Sequence, residues 1–174
     1  GFYALRPGVE RRDEERMTEA GRRVADVLWK VFRHLHPEAA EKWGKEAEEA
    51  GLTGRISPDN PLGSFFGSEG YVRNVHRDNT FAPTLGLWYM SGVDGREEEG
   101  GDYEGTTLVF PDVGVRCPTP TSDADVVAIV WDARFRHGTP AYSDPRVRAG
   151  RMSVAATPQM RVLHAAMKDM RQKK

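Results

Sequence analysis

Two histidines and one aspartate stand at a spacing that suits a metal ion. His76 and Asp78 follow the apolar-rich run Tyr71–Val75. Residues i and i+2 of a strand share a face, so this pair can present one imidazole and one carboxylate together. His137 comes 61 residues later, shortly after Val126–Trp131. Two imidazoles and a carboxylate on one face of an octahedron leave three positions open, a donor set that suits Fe(II) with places for dioxygen and a chelating second ligand. The triplet His76-Arg77-Asp78 also spells part of a protein-kinase catalytic loop. The Asn needed five residues after the Asp is Pro83, however, and the glycine-rich loop and Asp-Phe-Gly are missing. His34, His36 and His164 fall in helical patterns and are expected to be ordinary residues.

A second pair lies fourteen residues beyond His137, where Arg151 and Ser153 fall in phase on the run Met152–Ala156. A guanidinium offers a bidentate fork to a carboxylate, and a hydroxyl two residues on adds a donor. A 2-oxo acid chelating the metal through its keto end would need such a cation at its far carboxylate. Arg146 and Arg148 compete with Arg151 for that role.

These side chains need a rigid support. Met17, Ala20, Val24, Val27, Leu28, Val31 and Leu35 recur at three- and four-residue steps and predict a first helix. Pro37 opens a second helix that runs to Ala50 and stops at Gly51. Short β-rich runs then follow at Ser64–Phe66, Tyr71–His76, Thr84–Met90, Thr106–Phe110, Val126–Trp131 and Met152–Ala156, separated by turn residues. Met160, Leu163, Met167 and Met170 predict a closing helix over 159–171. The expected class is α+β, with an antiparallel sandwich or barrel between helices.

Composition narrows the setting. In 174 residues, 39% are hydrophobic and 29% charged, the balance of a globular chain. The single cysteine, Cys117, excludes an internal disulfide and a cysteine-rich zinc module. No apolar run approaches a membrane span and no apolar leader is evident. The expectation is an intracellular chain with no membrane partner, and one that opens on Gly1 rather than Met is expected to be trimmed. Net charge is only −1, but residues 134–174 carry +8 and 94–104 hold six acids and one base. That split fits either a basic face for a polyanion or ordinary solvated charge. The acidic, glycine-rich stretch 94–105 is expected to be a loop.

The ordered set His76-Arg77-Asp78, Gly100-Gly101, Leu108-Val109-Phe110-Pro111, Asp125–Val130, His137-Gly138-Thr139-Pro140 and Arg151-Met152-Ser153 resembles the core of the Fe(II)/2-oxoglutarate-dependent dioxygenases. It is similar, more narrowly, to the TET/JBP group that oxidises methyl groups on nucleobases, and to its fungal branch. The resemblance covers roughly residues 60–157. It implies a double-stranded β-helix (jelly-roll) core over 53–158, supporting helices over 1–52 and a C-terminal helix and tail over 159–174, together one dioxygenase domain. It implies His76, Asp78 and His137 as catalytic iron ligands and Arg151 and Ser153 as holders of the 2-oxoglutarate distal carboxylate. No motif matches the group's anchor for the other carboxylate. Asn79, Phe81 and Gln159 stand where the group contacts its base. The implied activity is Fe(II)- and 2-oxoglutarate-dependent oxidation, with dioxygen, of a methylated base in DNA, 5-methylcytosine or N6-methyladenine. That makes an oxidoreductase of DNA demethylation, expected to be a monomer and nuclear if eukaryotic. The alternatives are a dioxygenase of the same fold acting on a protein side chain or small molecule, and a non-catalytic β-barrel binding module.

Overall fold

The computed structural model describes residues 11–54, 56–62, 65–69, 72–90, 107–118, 126–140 and 151–172. Gly100-Gly101, the acidic stretch 94–105, Arg146 and Arg148 lie outside the described residues, as does the side chain of Arg151.

Helix α1 spans Arg11–Leu35 and α2 spans Pro37–Glu49. Between them His36 caps α2, its Nδ1 accepting from the Ala39 N–H at 3.4 Å, with Pro37 supplying the first-turn geometry. Gly51 ends α2 at φ +63°, where a residue with a Cβ would be strained, and the Leu52 N–H returns to the Ala47 carbonyl at 2.8 Å. The buried stripe of α1 is centred on Ala25, Leu28 and Phe32, with Val24 and Val31 packed against it, so part of the expected set faces the core while Val27 and Leu35 face solvent. Phe32 packs edge-on against Trp43 of α2, and Trp43 against Phe81, in a chain of rings that ties both helices to the β region. The loop after α2 is fixed to α1 through Asp26, whose carboxylate accepts from Ser57 Oγ and Asn60 Nδ2 at 3.0 and 2.9 Å.

Eight strands follow among the described residues: β1 (Phe66–Glu69), β2 (Arg73–His76), β3 (Thr84–Met90), β4 (Thr107–Phe110), β5 (Val115–Pro118), β6 (Val126–Trp131), β7 (His137–Thr139) and β8 (Arg151–Ala156). Helix α3 (Met160–Gln172) closes the chain. The strands make two four-stranded antiparallel sheets, ordered β1-β8-β3-β6 and β2-β7-β4-β5. First thus pairs with last, second with seventh, third with sixth and fourth with fifth. This is the pattern of a long hairpin folded back so that successive strand pairs alternate between sheets.

The period-two alternation of strands sets two cores. On β3, Leu85 and Leu87 point to the helices, where they meet Leu28, Phe32 and Trp43, with Val130, Val154 and Ala156 from neighbouring strands. Gly86 and Trp88 point the other way. Trp88 joins Ile129 and Trp131 of β6 and Leu108, Phe110 and Cys117 of the second sheet. The architecture is therefore helices, first sheet and second sheet, with one core on each face of the first sheet. No helix among the described residues is long and apolar enough to cross a membrane.

Candidate metal centre

His76 ends β2 and His137 opens β7, and the two are direct partners across the ladder. Their rings lie 4.4 Å apart between centroids. This register needs a glycine at 138. A Cβ there would stand 3.0 Å from the Arg73 carbonyl oxygen and from the Val75 backbone, so any side chain would push β2 away. Strand pairing stops at His76, and Asp78 is held by a different bond, its N–H donating to the Ala133 carbonyl at 2.8 Å. Ala133 belongs to the connection between β6 and β7, so one hydrogen bond fixes the carboxylate relative to both histidines.

The three ligand atoms lie within 4.8 Å of one another, the one such group of His, Cys, Asp or Glu among the described residues. His76 Nε2 is 3.8 Å from Asp78 Oδ1, and His137 Nε2 is 3.6 Å from Asp78 Oδ2. Each imidazole is oriented in the same way, His76 Nδ1 contacting the Asn74 carbonyl at 2.8 Å and His137 Nδ1 the Phe135 carbonyl at 2.9 Å. A carbonyl only accepts, so Nδ1 carries a proton and Nε2 is the atom that each ring turns to the shared space. A backbone acceptor behind each ring is the usual outer support of a metal-binding histidine. First-row ions take such ligands at about 2.0–2.2 Å, so ligands at right angles stand about 3 Å apart. Closing the two gaps to the carboxylate takes less than one ångström each. The donor set fits a divalent transition metal.

The electrostatics agree with that fit. The His137 side chain is the main cause holding the Asp78 carboxyl below the usual aspartate range. Partial burial opposes it, and the charges of His76, His137 and Arg73 act in the same lowering direction. The carboxylate is thus the form present at neutral pH. A cleft of about 450 Å³ opens along Val72–His76 and gives the centre an approach from solvent.

Ser153 faces the space between the sheets, buried, with Ser68 of β1 opposite it and the two hydroxyl oxygens 2.8 Å apart. Ser68, one turn of the strand alternation beyond Phe66, was not among the sequence candidates. Nor were Trp88, opposite Ser153 on β3, and Trp131, whose ring lies 5.7 Å from that of His137. The indole N–H groups of both tryptophans, and the hydroxyl of Thr84, are buried without a hydrogen-bond partner. An interior lined by unpaired donors is suited to an acceptor-rich ligand.

The expected base contacts lie elsewhere. Phe81 is packed on Trp43 in the helix-side core, and its N–H donates to the Pro158 carbonyl. Gln159 bridges to Thr80, and both Gln159 and Phe81 line a small hollow with Trp43 and Leu52. Asn79 is exposed, and its carbonyl accepts from the Met160 N–H at the start of α3. Of the arginines near the centre, Arg134 grips Asp132, while Arg136 and Arg77 both hold Asp112.

No protein-family model matches this chain, and no curated protein matches it either.

Proposed function

We propose that the protein is an Fe(II)- and 2-oxoglutarate-dependent dioxygenase, one domain built on a double-stranded β-helix, that oxidises the methyl group of a methylated base in DNA. The observation that carries the reading is the convergence of His76, Asp78 and His137, with both Nε2 atoms turned to one point by backbone carbonyls behind the rings. The strand order supports the fold, and the sequence resemblance supplies the reaction class.

In this reading His76, Asp78 and His137 hold the iron, and Arg151 and Ser153 hold the distal carboxylate of 2-oxoglutarate. Bound iron with 2-oxoglutarate and dioxygen would convert a methyl group to hydroxymethyl, one oxygen atom entering the product and the other entering succinate, with carbon dioxide released. The chain's own work is to orient the imidazoles and keep Asp78 ionised. A base inside a duplex cannot reach such a centre and would have to be flipped out or single-stranded.

The test is succinate release from 2-oxoglutarate under Fe(II), with duplexes carrying 5-methylcytosine, N6-methyladenine or neither. Stimulation by one modified duplex, with the oxidised base seen by mass spectrometry, supports the whole proposal. Absence of succinate with iron bound overturns it. One observation favours a second reading, a protein side chain or small molecule as substrate: Arg134, Arg136 and Arg77 are engaged by aspartates rather than open to phosphates. Succinate release that no DNA stimulates would select that reading.

A further inference from the structure

Two buried donors between the sheets have nothing to donate to. The indole N–H groups of Trp88 and Trp131 are sealed from solvent and lack a partner, Trp88 being only 4% exposed. A buried indole normally finds an acceptor, and an unpaired one is a cost to the fold. Here two occur in rings whose centroids are 5.9 Å apart.

Their arrangement is built in by a glycine. A Cβ at Gly86 would stand 2.4 Å from Trp88 Cη2 and 3.1 Å from Trp131 Cζ3, so only glycine lets the six-membered edges of both rings meet there. Those edges lie across each indole from Nε1, which turns both N–H bonds away from the contact. Trp131 stands beside His137, whereas Trp88 stands opposite Ser153. Trp131 is thus the indole nearer the candidate metal centre and Trp88 the one nearer the serine pair. Carboxylates only accept, and they accept strongly.

We propose that Trp131 and Trp88 are ligand-binding residues whose indole N–H groups hold the two carboxylates of a small oxo diacid, Trp131 the one nearer His137 and Trp88 the one nearer Ser153. The inference rests on the dioxygenase reading and supplies the metal-side anchor that no sequence motif provides.

The experiment uses the full chain with ¹⁵N-labelled indoles, loaded with Zn(II) as a diamagnetic metal and titrated with 2-oxoglutarate. Of the four indole resonances, those of Trp88 and Trp131 should move downfield while those of Trp29 and Trp43 stay. Trp88→Phe and Trp131→Phe assign the peaks and give the second readout. Each should weaken 2-oxoglutarate binding about tenfold or more, with Zn(II) affinity unchanged and the ligand-free melting temperature unchanged or raised, because an unpaired donor has gone. Binding of 2-oxoglutarate with both resonances unmoved, or with wild-type affinity in both variants, overturns the inference and leaves the dioxygenase reading intact. Zinc binding with no affinity for 2-oxoglutarate overturns that reading and the inference with it. If a variant does not fold, the wild-type resonances still decide.

Discussion

At the scale of single residues, the centre depends most on Asp78, the one anionic donor and the one ligand placed outside a strand. Asp78→Ala removes a metal ligand but little packing, for the side chain is part-exposed. Its metal affinity should fall by more than the roughly 10–100-fold that loss of an outer support typically costs, with turnover abolished and the fold retained. Calorimetric titration with Co(II) measures the first and circular dichroism the last; wild-type metal affinity in the variant would remove the metal centre from the argument. The grouping of His76, Asp78 and His137 was legible in the sequence because coordination demands particular residue types at particular phases, and His-x-Asp on a strand meets that demand visibly. Ser68, Trp88 and Trp131 were not legible. A serine or tryptophan in an apolar run reads as ordinary strand composition, and its use is decided by which strand lies opposite. Phe81 shows the converse, since its nearness to Asp78 in sequence led to an expected base contact whereas its ring is taken up by Trp43.

At the scale of elements, β3 and β6 have the bounds the apolar runs predicted, both being long hydrophobic strands, β3 in the middle of its sheet and β6 paired to it at the edge. The strands β5 and β7 were missed for opposite reasons. Val115–Pro118 carries Arg and Pro and is defined by its hairpin with β4. His137–Thr139 has three residues and no aliphatic side chain, and exists through pairing with β2 and β4. That short strand is nonetheless what carries the distal histidine, and Gly138 is what lets it approach β2. Gly138→Ala should cost about 1–3 kcal/mol by overpacking against the β2 backbone, which must give way to make room. Its melting temperature should drop by several degrees, and metal binding should weaken as His76 is displaced from His137. Gly67→Ala is the control, for a Cβ there meets Ser153 and Val154 only at ordinary contact distance. Equal effects of the two changes on metal affinity would show that the close approach at Gly138 does not set the ligand register.

At the scale of the whole molecule, the question is whether the charge split serves a polyanion. The sequence locates basic residues but not their partners, and those partners alter the answer around the centre. Asp112, in the turn between β4 and β5, accepts from the Arg136 backbone N–H and side chain and faces Arg77. Hydrogen bonding from Arg136 holds its carboxyl below the usual range, burial opposing weakly and the Arg136 and Arg77 charges assisting. A depressed pKa means that this link is fully present above the ordinary aspartate range, about 3.9, and is lost only as pH falls through the lower folded value. At neutral pH two exposed guanidiniums therefore share one carboxylate, which offsets one of their two charges. Asp112→Asn releases both without touching a metal ligand. If DNA lies across this rim, the variant should bind duplex more tightly at low salt, and its plot of log affinity against log salt should steepen by up to about 0.9 for each arginine that gains a phosphate. A wild-type slope near zero that Asp112→Asn leaves unchanged would exclude DNA from this face. The metal centre would stand, and the substrate would then be sought among molecules that enter the cleft along β2 without a phosphate backbone.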